Sequence, residues 1–410
     1  MRIGIVTDNY FPSIGGTEIS ISSYAKQLES QGHTVFIFCP SQGRKNPKRE
    51  PKNTIRLPSI RGIYPDHPIM FTYPGITKRF ASHNLDIIHS QTPICAPYIS
   101  NHISKKLGIP HIHTMHTLVP EQIKSWNSGL LRMLILYIIQ SIILKTPKLP
   151  PNYITDKERK TMAIKVRLSW IYILRTINLA DKLIVPSKHV RRILRSRGCN
   201  NKIEVLPTFS NMSFKNTRKI SRKKLVKLIY VGRLDKEKRP SVLIQMARRL
   251  PKNQDWRLTI VGNGTQKARM RFLIRRYKLN KRVVLRGRLS QRQIAKELRK
   301  SDIFILPSYR FDTQGIVLLE ACAAGLPIVY CDNHLSVGVE ESNSILTKPD
   351  ADSMSEGVRK LISNRRLRQR LAKNSLEVNK KYLPDLLTEN LVSIYSRTIN
   401  SYKRQQKIQA

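Results

Sequence analysis

Twice along this chain, short β-rich apolar runs alternate with helical stretches, and that rhythm restricts it to layered α/β architectures. In the N-terminal half the runs are Arg2 to Thr7, Thr34 to Cys39, Asp86 to Ser90, Pro110 to Thr114 and Lys182 to Pro186. After a polar, basic stretch from Asn211 to Lys224 they resume at Leu228 to Gly232, Leu258 to Gly262, Val283 to Leu285, Ile303 to Leu306 and Ile328 to Cys331. The pattern predicts two doubly wound domains, residues 1–207 and 225–382, joined by a linker over 208–224. A segment with helical spacing, Leu383 to Lys403, closes the chain within residues 383–410. A length of 410 residues exceeds one comfortable core. In open α/β sheets ligands bind beyond the carboxyl ends of the strands, so chemistry is sought in the loops that follow these runs.

Charge narrows the partners. Lys and Arg number 74 against 27 Asp and Glu, a net +47, which suits anionic partners: a lipid surface, nucleic acid or phosphorylated substrates. Nucleic acid is disfavoured, since the charge is spread along helices and neither an aromatic-rich RNA-binding motif nor a zinc finger is present. Five scattered cysteines without a C-x-x-C pair suggest neither a disulfide framework nor a zinc ribbon, and fit a reducing compartment. Only five uncharged residues separate Arg2 from Asp8, too few for a secretory signal, so Ile3 to Val6 reads as a buried first strand. The run Leu130 to Lys145 is too short and interrupted for a membrane span; it reads as a core helix or, with Arg132, Lys145 and Lys148 beside it, as a helix lying on an anionic bilayer.

Several motifs follow strand ends. From Ser308 to Pro327 a strand exit leads through Thr313-Gln314-Gly315 into an apolar helix, with acids at Asp312 and Glu320. Free amides after Gly315 would favour a diphosphate, and Glu320 could hydrogen-bond ribose hydroxyls, although an ordinary strand-to-helix turn accounts for the spacing equally well. Tyr230 to Lys238 carries Arg233 and Lys238 out of a buried strand, where cations stabilise a departing diphosphate or simply face solvent. Gly15-Gly16 precedes a helix from Glu18 to Gln31, and Gly262-Asn263-Gly264 follows a strand; each is a close-approach loop or a plain turn. His111, His113 and His116 lack a further Cys or acid that would complete a zinc site. Asp350-Ala351-Asp352 precedes a helical run and reads as an N-cap rather than a metal motif.

Taken together these segments resemble the retaining GT-B glycosyltransferases of glycosyltransferase family 4, most strongly from Leu228 to Val329. Two acids with seven residues between them flank the donor sugar in that family, and Asp312 stands where a glutamate is expected. The Thr-Gln-Gly after it resembles the branch that glycosylates diacylglycerol. The resemblance implies two Rossmann-like domains facing across a cleft, with the last helix crossing back to the first domain. It implies that Arg233 and Lys238 grip the donor phosphates, that Glu320 holds the ribose, and that Asp312 and the His116 of His113 to Thr117 line the sugar. Gly15, Gly16, Gly262, Gly264, Gln314 and Gly315 are the implied donor-binding positions, Gly287 belongs to the base pocket, and His89 is architectural. It further implies a nucleotide-sugar donor, UDP-glucose or GDP-mannose, with no obligatory cofactor or metal. The expected acceptor is a membrane lipid hydroxyl, used by a cytoplasmic enzyme peripheral at the inner face of the cell membrane. A soluble or polymeric glycan acceptor, or a catalytically weak protein that binds sugar nucleotide or nucleic acid, are the other readings.

Overall fold

A computed structural model describes residues 1–12, 16–43, 51–60, 68–123, 129–138, 153–212, 214 and 225–409. The chain forms two compact units: residues 1–207 together with 385–410, and residues 208–384.

Among the described residues the first unit is built on seven parallel strands: β1 (Arg2–Val6), β2 (Thr34–Pro40), β3 (Thr54–Leu57), β6 (Ile87–Ser90), β7 (His111–Thr114), β8 (Lys182–Val185) and β9 (Lys202–Val205), in the order β3-β2-β1-β6-β7-β8-β9. A two-strand hairpin, β4 (Ser59–Ile60) and β5 (Ile69–Met70), lies outside that sheet. The central strands are buried on both faces, which is why they read as unbroken apolar runs. The outer strands β3 and β9 were not expected; Arg56, Lys202 and Glu204 interrupt their apolar pattern because an edge strand is only half covered.

Helix Pro384–Gln409 belongs to this first unit and is longer than the expected segment at its C-terminal end. Leu387, Leu391, Ile394 and Tyr395 recur at helical spacing and are buried. Tyr395 Oη lies 2.6 Å from His89 Nδ1, and Thr114 Oγ1 lies 2.7 Å from His89 Nε2, so one imidazole ties the helix to the ends of β6 and β7. His111 and His113 share Ser90 Oγ, each at 2.8 Å, as neighbours on one face of β7.

Burial drives these histidines towards the neutral form: His111 is pushed down to about 4, His113 to about 3, and His89 well below the ordinary 6.5. Unfolding returns them to 6.5, so the unfolded chain binds more protons between pH 6.5 and about 4, and stability is lost as pH falls through that window. His111 alone corresponds to about 3 kcal/mol. Raised Asp8 and Asp181 carboxyls oppose this, but the histidines outnumber them. The expected result is a thermal midpoint for the first unit that drops steeply between pH 7 and 4.5; a midpoint constant over that range would refute it.

Among the described residues the second unit holds six parallel strands: β10 (Val226–Val231), β11 (Trp256–Val261), β12 (Val283–Gly287), β13 (Ile303–Leu306), β14 (Ile328–Tyr330) and β15 (Ser344–Leu346), ordered β12-β11-β10-β13-β14-β15. The order reverses between β10 and β13, the switch point at which doubly wound sheets open a crevice beyond their carboxyl ends. Its core joins Leu228, Tyr230, Leu258, Phe304, Leu318 and Val329. Asp350 caps helix Ala351–Ser363 by accepting from Ser353 N–H at 2.7 Å, as its sequence context indicates.

Helix Gly129–Ile138 packs through Leu136 against the cluster of Trp170, Ile173 and Leu174 on helix Ile164–Ile177. Its other side is open, with Leu131 64% and Ile138 50% exposed. Positions 139–145 of the apolar run, and Lys148, lie outside the described residues. Among the described residues no helix is long and apolar enough to cross a membrane.

Candidate active site

The carboxyl ends of β10, β11 and β13 gather most of the residues singled out in the second half of the sequence. β10 delivers Arg233, and the short 3-10 turn Lys236–Lys238 then turns Lys238 back. β13 exits through Ser308 into the loop that carries Asp312. There the chain closes an ion pair between residues far apart in sequence: Lys238 Nζ contacts Asp312 Oδ1, while Ser308 Oγ–H donates to Asp312 Oδ2 at 2.6 Å. The Lys238 ammonium also lies 5.0 Å from the centre of the Phe311 ring. Burial works to raise the Asp312 carboxyl, but the Lys238 charge and these hydrogen bonds outweigh it and hold it below the ordinary carboxylate value.

Arg233 stands differently. Its side chain is 56% exposed and bridges Asp235 at 2.8 Å and Glu237 at 2.7 Å. Exposed bridges of this kind contribute little to stability, so the guanidinium is held in place at small cost to any later exchange of partners.

Gly315 caps helix Ile316–Ala323 in the left-handed region, φ 77°, so the helix presents its first amides beside this loop. Gln314 is buried, and both ends of its amide are used by the chain itself: Oε1 accepts from Thr208 N–H at 2.7 Å and Nε2 donates to Thr208 O at 2.6 Å. What Gln314 offers a ligand is therefore its backbone. Glu320 sits in the second turn of the helix, 6% exposed. Burial is the sole cause that lifts its carboxyl, to about 7, because no cation or donor faces it among the described residues. A buried acid with no partner carries a desolvation cost that a ligand's hydroxyls would relieve.

Gly262 and Gly264 let two loops touch. A Cβ at Gly262 would fall 1.9 Å from the Gly232 carbonyl oxygen, and one at Gly264 would fall 2.5 Å from the Leu234 carbonyl carbon. Gly262 N–H donates to Gly287 O at 2.8 Å, which joins the third strand end to the other two.

In the first unit, Gly16 opens helix Gly16–Ser30, and Gly15 lies outside the described residues. His116 follows β7, half-buried, and donates from Nε2 to Gln91 Oε1 at 2.6 Å; burial pushes it down to about 4, so it is neutral at pH 7. The two units thus hold separate subsets of the sequence-selected residues, Gly16 and His116 in one and the rest in the other.

Sequence reasoning passed over three residues. Gln91 links His89 and His116 and is buried. Asp8 accepts three amides, from Ile94, Cys95 and Ala96 at 2.7–2.8 Å, at the start of helix Ala96–Leu107. Asp332, after β14, accepts from Arg310 N–H at 2.6 Å and fixes the loop beside Tyr309. The signal available for Asp8 and Asp332 was an acid two positions beyond the end of a buried strand. Among the described residues no group of His, Cys, Asp and Glu is arranged to hold a metal ion.

Comparison with known proteins identifies the family and the fold. Residues 213–378 match the family model described as glycosyl transferases group 1, and residues 14–213 match that of Glycosyltransferase Family 4. The chain is 26% identical to the alpha-monoglucosyldiacylglycerol synthase of Streptococcus pneumoniae over 80% of its own length and 70% of the other. It is 21% identical to the enzyme of the same name from Acholeplasma laidlawii, over 96% of each chain. It is also 21% identical to a GDP-mannose-dependent alpha-mannosyltransferase of Mycolicibacterium smegmatis, over 81% and 80%. Among solved structures it resembles a sucrose-phosphate synthase from Thermosynechococcus elongatus, with TM-score 0.68, 18% identity and coverage of 98% and 99%. It likewise resembles Anabaena HepE in complex with UDP, with TM-score 0.68, 14% identity and coverage of 97% and 100%. These structural likenesses speak to the fold.

Proposed function

Given that the chain belongs to the GT-B glycosyltransferases of family 4, its two family models spanning residues 14–378 between them, we propose that it moves a hexose from a nucleotide sugar to the hydroxyl of a diacylglycerol-like lipid. Transfer proceeds with retention of anomeric configuration, by an enzyme peripheral at the cytoplasmic face of the membrane. The observation that carries the reading is the Lys238–Asp312 pair beside the amides that follow Gly315, with unpartnered Glu320 one turn further on.

That arrangement supports a division of labour along a nucleotide sugar. Arg233, Lys238 and the helix start hold the diphosphate, and they stabilise it more as the sugar–phosphate bond loosens towards an oxocarbenium-like state. Glu320 accepts from the ribose hydroxyls. Asp312, in contact with Lys238, accepts from a hydroxyl of the sugar, and its shorter side chain bears on which sugar is chosen. Gly262 and Gly264 permit close approach of the nucleotide, and Gly15, Gly16 and His116 keep the donor-side roles that the family resemblance implies. The acceptor hydroxyl attacks from the face the diphosphate leaves, and a donor phosphate oxygen takes its proton. No step is assigned to a metal.

A lipid acceptor is supported by the two glucosyldiacylglycerol synthases among the relatives. The exposed leucines and isoleucines of helix Gly129–Ile138 on a chain of net charge +47 suit contact with an anionic bilayer. A mannosyl donor is the second reading, favoured by the GDP-mannose-dependent relative.

The test supplies radiolabelled UDP-glucose or GDP-mannose with diacylglycerol in anionic vesicles. The expected result is label in an organic-extractable product that an α-glycosidase, and not a β-glycosidase, releases. Label found only in water-soluble glycan, or none transferred from either donor, rejects the lipid reading.

A further inference from the structure

A cavity lies in the second unit, at the end of the sheet away from the loops of Lys238 and Gly262. It encloses about 570 Å³, within the range of small-molecule sites, and forms where helix Ser241–Arg249 ends, β11 begins, helix Lys267–Arg276 ends and β12 is about to start. These are amino ends of parallel strands, so a strand length, roughly 20 Å, separates it from the loops of Lys238 and Gly262.

Its lining is unusual for a plain surface hollow. Among the described residues, five cations border it, Arg248, Lys252, Arg276, Lys278 and Arg282, and no acid does. Two of them are oriented by aromatic rings: the Arg248 guanidinium lies 4.6 Å from the centre of the Tyr277 ring, and that of Arg282 lies 5.0 Å from the Trp256 ring. Arg282 further donates to Gln254 O and Lys252 O, both at 2.7 Å, so the wall that carries it is set before any ligand arrives. Five like charges around one hollow repel each other, and a multiply charged anion with several acceptor oxygens relieves that repulsion while satisfying the guanidinium forks.

We infer that this cavity is a second anion site, taking a phosphate-bearing ligand at the amino end of the sheet, opposite the donor loops. Its chemistry is that of a phosphate group, whether on a soluble ester or on the headgroup of an anionic lipid. The inference rests on this cavity alone and is indifferent to which donor or acceptor the enzyme uses.

The experiment uses the full chain with Lys238→Ala and Asp312→Ala together, which weakens the donor loops' own hold on phosphate without stranding a buried carboxylate, and compares it with the same chain carrying R248S and R276S. One arm measures radiolabelled inorganic pyrophosphate by equilibrium dialysis. The other measures co-flotation with phosphatidylcholine vesicles that contain phosphatidylglycerol. The expected result is about a tenfold weaker interaction in at least one arm, a conservative figure for two lost charge-assisted contacts, restored by R248K and R276K. Loss in the dialysis arm alone marks a soluble ligand, loss in the flotation arm alone a headgroup, and loss in both the shared phosphate. The proposal is overturned if the parent binds neither probe, if the serine variant binds both within twofold of the parent, or if lysine at both positions restores nothing.

Discussion

Lys238→Ala is expected to cut turnover about a thousandfold, the scale on which removal of one well-placed donor to a developing anion is felt, about 3–4 kcal/mol. The side chain is largely covered and touches both Asp312 and the ring of Phe311, so the substitution also leaves a buried carboxylate without its counter-charge. The two consequences separate in a double variant. Lys238→Ala with Asp312→Ala removes the stranded charge and is expected to recover thermal stability, while turnover stays low. Arg233→Ala supplies the contrast: its exposed bridges to Asp235 and Glu237 predict a stability change below about 1 kcal/mol, yet a turnover loss of about a hundredfold. Near-normal rates in both single variants would sink the assignment of the diphosphate to these loops.

Glu320→Gln is expected to make the protein more stable and a poorer enzyme. The folded carboxyl is raised from 4.5 to about 7, so between those values the folded state holds more protons than the unfolded one. Stability contributed by the protonated acid is complete below pH 4.5 and is lost as pH rises past about 7. A rise of that size corresponds to about 3 kcal/mol once the acid is ionised. The neutral amide escapes the cost, and its advantage should appear at pH 8.5 and vanish near pH 4.5. Donor affinity should fall at least tenfold at pH 8.5, since the variant lacks the carboxylate proposed to accept from ribose. Denaturant unfolding at the two pH values reads the first effect, and titration with the nucleoside diphosphate reads the second. Equal stability of the two proteins at pH 8.5 would mean the carboxylate is compensated in the fold, and unchanged affinity would take it out of the ribose site.

What the sequence disclosed follows from what each feature depends on. Strands buried on both faces, such as Ile3 to Val6 and Ile303 to Leu306, announce themselves through composition alone, whereas β15 at the sheet edge is three residues long and half-covered. Resemblance reached the loops after β10, β11 and β13, whose motifs are local. It did not reach the Lys238–Asp312 pair, because its ends stand 74 positions apart and only the shared strand order brings them together. Nor could spacing reveal that Gln314 spends its side chain on Thr208, or that Glu320 faces no cation, since both are properties of surroundings contributed by other segments. The apolar run from Leu130 divides by side, Leu136 inward and Leu131 outward, a distinction that an almost unbroken apolar sequence cannot express.

Placing helix Pro384–Gln409 in the first unit has a consequence for how the protein is made. Chains emerge from the ribosome N-terminus first, at about 5–20 residues per second, so residues 208–384 take on the order of ten to thirty-five seconds to be translated. Throughout that interval the nascent first sheet lacks the helix that brings Tyr395 to His89, and its apolar flank is open to chaperones. The second unit, continuous in sequence, meets no such delay and can finish folding before the first.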